Sequence, residues 1–316
     1  MGTPDTAGTA AGPVEELLGL LRPEAVLSKV IDGAGSWGVR KPRYGDPAFC
    51  VMLQGSCVLE ADGLDAIDLR DGDFLLLPET PGFTLSASRG VEPVPTPIDH
   101  GRRTRHGGAS EPVTMRMLGG YFRVDPANAP LLVPLLPPAV LVRRDEPGSA
   151  RLSRIVELIA EEADGESPCR DAILQRLVEV LLMEALRVAS APVDQEQRGL
   201  IAGLSDAVLA PALTQLHADL ARGWTVQHLA RAASVSRAVF AQRFAEVVGM
   251  PPMQYLLQWR LATARELLRS GRLSTAQIAQ RVGYQSPTAF STAFSRHTGC
   301  TPTEYARRVQ RDGMPG

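Results

Sequence analysis

The chain is poor in the residues that staple or anchor a protein. Its four cysteines, Cys50, Cys57, Cys169 and Cys300, form no C-x-x-C pair. Scattered in this way they point to reduced thiols, not to a disulfide framework or a zinc site. No apolar run approaches the roughly 18 residues of a membrane span, so no membrane partner is expected and the protein is expected in the cytoplasm. The opening stretch, MGTPDTAGTAAGP, has no basic and no apolar segment and reads as a flexible tail over 1–13, not a signal peptide. Catalytic sets are missing as well: there is no Ser-His-Asp set and no Gly-rich phosphate loop, and no cofactor is called for.

What is present describes a globular protein with real cores. At 316 residues with 44% hydrophobic and 22% charged residues, there is room for two domains. The net charge of -2 hides a split. From residue 200 onward there are 13 Arg against 6 acids, a balance of +7, while residues 1–199 carry -9. Opposite signs suggest a basic domain for a polyanion and an acidic domain for something else.

Residues 14–22 have the spacing of a short amphipathic helix. From 25 to 88 the texture becomes short apolar or alternating runs, with strands expected at Val26–Ile31, Ala48–Leu53, Cys57–Glu60, Ala66–Leu69, Phe74–Leu77 and Phe83–Ser86. Turn signals such as Asp62-Gly63, Asp71-Gly72 and Pro81-Gly82 divide them, which implies an antiparallel sandwich or barrel. Residues 89–112 are rich in Pro, Gly and Arg, and read as a disordered loop that carries His100 and His106. Strand texture returns over Val113–Val124. Two helices follow, Ser149–Ala163 with a serine cap and Pro168–Ala189. The second has an apolar stripe too wide for one sheet face, covered either by a symmetry mate or within its own domain. Residues 190–199 are polar and read as a linker, and 311–316 as a tail.

Beyond the linker the pattern is helical and says nearly the same thing twice. Leu229-Ala230, Ala233, Ser236, Phe240, Phe244, Gly249, Pro252 and Tyr255 return as Ile278-Ala279, Val282, Ser286, Phe290, Phe294, Gly299, Pro302 and Tyr305. The offset is 49 residues up to the turn and 50 after it, so one extra residue sits in the second turn. Ser205 is expected to cap a preceding helix through Ala221. Each copy has two short helices joined by a tight turn, the helix-turn-helix geometry. Met253–Ser270 predicts a rod of ~27 Å between them, able to hold two recognition helices near the ~34 Å spacing of successive major grooves.

Residues 200–310 thus resemble the DNA-binding domain of the AraC/XylS family of bacterial transcription regulators. The carriers are Ile278-Ala279-x-x-Val282-Gly283-Tyr284, Ser286, Phe290, Phe294 and Gly299-x-Thr301-Pro302-x-x-Tyr305. Residues 14–189 resemble the cupin-like sensor domain often found ahead of it, through Asp71-Gly72-Asp73-x-Leu75-x-Leu77-Pro78 and Gly119-Gly120-Tyr121-Phe122. The resemblance implies an α+β multidomain protein. A cupin-like antiparallel barrel or sandwich with two C-terminal helices would precede an all-α domain of two helix-turn-helix units joined by a long helix. Its partners would be promoter or operator DNA, a small effector, a second copy of the chain and, if it is an activator, RNA polymerase.

With the phenylalanines inward, the first recognition helix would present Arg237, Ala238, Ala241 and Gln242 to DNA. The second would present Thr288, Ser291 and Thr292, short hydroxyls that read bases weakly. Arg243 and Arg296 are expected at phosphates, which position without reading sequence. Where cupin enzymes carry metal-ligating histidines, this chain has Phe49-Cys50-Val51-Met52 and Phe83, so neither a metal site nor an enzyme is expected. The alternative of a cupin enzyme fused to a DNA-binding domain is left without ligands. A small-molecule site lined by Trp37, Phe49, Met52, Phe83 and Tyr121 is expected instead. A regulator that uses this domain for dimerisation alone is the remaining alternative.

Overall fold

The computed structural model describes residues 12–97, 103–165, 168–189 and 198–312. The first helix, α1 (Pro13–Leu21), buries Leu17, Leu20 and Leu21 on one stripe. Ten strands follow: β1 (Glu24–Ala34), β2 (Gly38–Lys41), β3 (Ala48–Gln54), β4 (Ser56–Ala61), β5 (Ile67–Arg70), β6 (Phe74–Leu77), β7 (Phe83–Ser86), β8 (Val94–Pro95), β9 (Arg103–Gly107) and β10 (Val113–Arg123). A one-turn helix α2 (Ala129–Leu132) and a last strand β11 (Val140–Val142) lead to α3 (Ala150–Asp164) and α4 (Arg170–Ala189). The rest is helical: α5 (Leu200–Ser205), α6 (Ala210–Ala218), α7 (Val226–Ala232), α8 (Arg237–Val248), α9 (Pro252–Ser270), α10 (Thr275–Arg281), α11 (Pro287–Thr298) and α12 (Pro302–Asp312).

The strands make two sheets, ordered β11-β6-β3-β10-β1-β9 and β5-β4-β7-β2-β8. Pairing is antiparallel except at two edges, where β9 runs parallel to β1 and β8 parallel to β2. The stretch 89–112, read as a disordered loop, therefore contains strand structure, because β1 offers its edge to residues 103–107. His106 lies on β9, whereas His100 falls outside the described residues. Residues of both sheets, among them Met52, Leu59, Leu69, Leu75 and Met117, share one buried cluster. On the outer face of the larger sheet, Asp32 accepts from Arg103 Nε at 2.7 Å and Arg116 Nε at 2.9 Å, and Arg116 reaches on to Asp164 of α3 at 3.0 Å. Burial pushes the Asp32 carboxyl up, but the two guanidinium groups outweigh it and hold it below its ordinary range.

Two compact units account for the described residues, one drawn from 22–125 and 136–197, the other from 1–21, 126–135 and 198–316. The division departs from a domain spanning 14–189. Helix α1 and the strap 126–135 belong with the helical unit, where Ala127 and Leu131 pack on a cluster of α9, α10 and α11 residues. Asn128 Nδ2 donates to Leu20 O at 3.0 Å, and Arg265 of α9 donates to Ala127 O. His217 sits with Nδ1 2.9 Å from Glu16 and Nε2 2.6 Å from the Tyr255 hydroxyl. Two caps also differ from expectation. Ser149 makes no capping bond, its hydroxyl donating to Arg144 O instead. Ser205 ends α5, and Asp206 takes over as the acceptor for the amides of Val208 and Leu209.

The turns of the two helix-turn-helix units close alike despite the extra residue. Val235 N donates to Ala230 O at 3.1 Å and Tyr284 N to Ala279 O at 2.8 Å, the helix-terminating bond that needs a left-handed residue. That residue is Ser234 at φ 57° in the first copy and Gly283 at φ 80° in the second. A Cβ on Gly283 would lie 2.6 Å from Ala221 O. Replacing Ser234 by Gly relieves a conformation costing about 1 kcal/mol, whereas Gly283→Ala adds strain and a backbone clash. The two variants should shift the urea unfolding midpoint of the helical unit in opposite directions, Ser234→Gly upward and Gly283→Ala downward, as followed by circular dichroism.

Candidate DNA-binding face and effector cavity

Each recognition helix is held by the same parts. Ser236 Oγ accepts from Val239 N at 3.3 Å and Ser286 Oγ from Ala289 N at 3.1 Å, which sets the first turn of α8 and α11. Gly249 and Gly299 end them in the left-handed conformation. Phe240 and Phe244 are buried with ring centroids 5.6 Å apart, as are Phe290 and Phe294. Tyr255 stands edge-on to Phe244 at 5.5 Å and Tyr305 edge-on to Phe294 at 5.6 Å. The caps of the preceding helices differ between the copies: a reciprocal box between Ser274 and Gln277 forms at α10, while α7 is capped by the Thr225 side chain alone.

With one side of each helix committed to these rings, the opposite side is left to solvent. On α8, Arg237, Ala238 and Gln242 are exposed and Ala241 is half-buried. Gln242 Nε2 donates to Glu246 Oε1 at 2.9 Å, so its amide is oriented along the helix surface. Arg243 is tied to Asp206, with Nη2 2.7 Å from Oδ2 and Nε 2.9 Å from the same oxygen. Burial raises the Asp206 carboxyl, but Arg243 and the two helix amides together hold it below its ordinary value. Arg243 thus fastens α8 to the turn ahead of α6. On α11, Thr288, Thr292 and Arg296 are exposed and Ser291 is half-buried. Val239, 51% exposed on the first turn of α8, belongs to the same outward surface. Its helical offset of 300° from Gln242 was the available signal, and it places a methyl-bearing side chain where a thymine methyl could pack.

The second site lies between the two sheets. A cavity of about 220 Å³ is walled by Ile31, Ala48, Cys50, Leu75, Leu77 and Met117 on one side and by Val39, Leu59, Phe83 and Leu85 on the other. Phe49, Phe83 and Tyr121 line it as expected residues of this kind, but Trp37 and Met52 do not. Trp37 is buried behind the wall and stacks on His106 with centroids 5.6 Å apart. Met52 is fully buried, 3.9 Å from the Cys57 sulfur. Lys29, Lys41, Tyr44, Asp46 and His106 supply the polar part of the lining, which sequence reasoning missed because strand alternation alone does not say which face encloses a void. The cavity owes room to Gly119, whose missing side chain would otherwise meet Ile31 Cδ1 at 3.0 Å. Burial pushes the Cys57 thiol up to about 12 and raises Cys50 further, so both stay protonated and unreactive. Among the described residues no three His, Cys, Asp or Glu side chains are grouped to hold a metal ion. Nor is any described helix long and apolar enough to cross a membrane.

A β-sandwich unit with an apolar cavity, followed by two aromatic-locked helix-turn-helix units on either side of a long helix, defines a DNA-binding transcription regulator. The cupin family profile matches residues 12–191 and a helix-turn-helix domain profile matches 229–308. A protein of Streptomyces lividans described as an AraC-like transcription regulator is 36% identical over 301 residues, covering 93% of this chain and 98% of that one. One of the same description from Streptomyces antibioticus is 35% identical over the same coverage. The transcriptional regulator AlkR of Acinetobacter baylyi is 38% identical over 150 residues, 48% of this chain and 49% of its own. The chain belongs to the AraC-like family of transcription regulators.

The unequal surfaces of α8 and α11 set an expectation for DNA. Gln242→Ala or Arg237→Ala should relax sequence preference in one half-site at a cost of about 1–3 kcal/mol. Thr292→Ala should cost well under ~1 kcal/mol, since a lone hydroxyl reads bases weakly. Binding titrations against operators randomised one half-site at a time check the difference, and equal losses from the two helices contradict it.

Proposed function

We propose that this AraC-type regulator is switched by a small molecule bound in the cavity of its cupin unit. The observation that carries the reading is the largely apolar space between the two sheets, with a few polar groups on its wall, which is the usual make-up of a small-ligand site. DNA recognition is assigned to the outward faces of α8 and α11, with Arg237, Ala238, Ala241, Gln242, Val239, Thr288, Ser291 and Thr292 toward the bases and Arg296 toward phosphate. We assign the protein to the cytoplasm, where its DNA is.

The route from cavity to DNA is short along the chain. Strand β10 contributes Met117, Gly119, Gly120 and Tyr121 to the cavity wall. Within a few residues it runs into the strap 126–135, whose Ala127 carbonyl is bonded by Arg265 of α9, the helix that joins the two recognition units. A ligand that prefers one position of β10 therefore biases the strap, and through it the seating of α9. The chain is taken to act as a homodimer. Ile173, Val180 and Met183 of α4 and Leu158 of α3 are exposed apolar side chains suited to a second copy. If the protein activates, RNA polymerase is the further partner.

The test uses the full chain and its own upstream DNA. Wild type should prefer that DNA to random duplex, with affinity falling steeply as salt rises. Gly119→Val, which puts a branched side chain into the cavity, should keep the DNA preference and lose any response to effector. Arg265→Met should likewise bind DNA but transmit less of the response. A protein whose DNA binding never responds to a metabolite panel, yet which sediments as a dimer, uses the cupin unit for dimerisation alone.

A further inference from the structure

We propose that Glu246 is a specificity-determining residue for DNA, a positioning residue that holds the Gln242 amide in the orientation matching adenine and not guanine. The proposal rests on the reading of α8 as a base-reading helix and adds the residue that sets what Gln242 can read.

Gln242 lies opposite the buried pair Phe240 and Phe244 on α8. Its neighbours three and four residues away are Ala238, Val239, Ala245 and Glu246, so Glu246 is the one polar side chain among them. Glu246 stands one turn further on, about 40° round the helix from Gln242, and both are exposed. Gln242 Nε2 donates to Glu246 Oε1 at 2.9 Å. The cation three residues before Glu246, Arg243, is taken by Asp206, its Nη2 2.7 Å from Oδ2. The carboxylate is therefore left to the amide.

A carboxylate only accepts, so it meets the amide through the NH2 group, and the orientation of the amide follows. One N–H is used in this way. The second N–H and Oε1 remain, a donor and an acceptor together, which complement adenine N7 and N6. Guanine presents only the acceptors N7 and O6 at that edge, and the held Oε1 opposes them. A released amide can turn its NH2 group toward guanine, and a half-turn exchanges its donor and acceptor, so the match to adenine is lost.

The duplicated scaffold supplies a comparison within the chain. At the 50-residue offset that takes Phe240 to Phe290 and Phe244 to Phe294, Gln242 becomes Thr292 and Glu246 becomes Arg296. Equivalent ring pairs set the rotation of both helices, so the second copy places a cation where the first places an acid. An acid on a surface that faces a polyanion weakens binding to every sequence. It stands in the copy that has an amide to orient. In the other copy Thr292 carries a hydroxyl, which turns about a single bond and has no such need.

The experiment takes the full chain and duplexes of its own upstream DNA with each base pair varied in turn, beside random duplex, and checks the helix content of each variant by circular dichroism. Gln242→Ala should abolish an adenine preference of about tenfold at one base pair, which identifies the base. Glu246→Ala should bring that same preference to within about twofold, with guanine gaining most, while affinity for random duplex rises because a negative charge has left the surface. Glu246→Gln keeps an acceptor without the charge, so it should gain affinity for random duplex and retain the adenine preference. On the Gln242→Ala background, Glu246→Ala should alter no base preference. An unchanged profile in Gln242→Ala removes the base-reading role of Gln242 and the proposal with it. A profile that changes in Gln242→Ala but not in Glu246→Ala leaves Gln242 a reader and overturns the role of Glu246. So does an equal loss of affinity for all sequences in Glu246→Ala, or a Glu246→Gln variant that loses the preference as fully as Glu246→Ala.

Discussion

Everything the helical unit does depends on a repeated clamp of three rings. In each copy two phenylalanines four residues apart are buried together, and a tyrosine eleven residues past the second closes on it edge-on. The clamp fixes the rotation of the recognition helix about its own axis, so it also decides which side chains remain outside. Arg237, Gln242 and Val239 on one helix and Thr288 and Thr292 on the other face outward because Phe240, Phe244, Phe290 and Phe294 face in. The same scaffold is built twice, and the chemistry laid on its outer surface differs.

The β unit works by a subtraction. Gly119 omits a side chain in the middle of β10, and the space beside it stays open. Side chains around that opening are mostly apolar, with Lys29, Lys41, Tyr44, Asp46, His106 and Tyr121 as the polar members of the lining. The cysteines near it are held protonated by burial, and Asp32 with its partners Arg103 and Arg116 stands on the outer face of the sheet. The cavity and these salt bridges thus lie on opposite faces of one sheet. The strap continues β10 into the helical unit through the covalent chain.

Much of this is legible in the residues. The period-two runs with Gly and Asp turns mark most of the strands, and the i, i+4 phenylalanines with their serine caps mark both recognition helices within a residue or two. Three kinds of feature escape local reading. Strand β9 has no apolar alternation and exists because the edge of β1 accepts it. Ser149 and Ser205 have the right type for caps, but their hydroxyl or position is claimed by other partners. Arg243 reads as a phosphate contact until Asp206 is seen beside it. For β9 and Arg243 the deciding partner, β1 and Asp206 respectively, is tens of residues away, whereas the two caps are overruled by groups close in the chain.

The sequence alone determined the class of protein, because a duplicated pattern of small turns, caps and aromatic spacings can satisfy its hydrogen bonds and bury its rings in one local way. It also determined which side chains α8 and α11 turn outward, since that follows from helical periodicity once the buried stripe is known. Only the tertiary structure decided that residues 126–135 pack on α9, and that Phe49, Phe83 and Tyr121 reach the cavity while Trp37 and Met52 do not. Those facts depend on which strands become neighbours and in what register, and register is a property of pairs of segments distant in the chain.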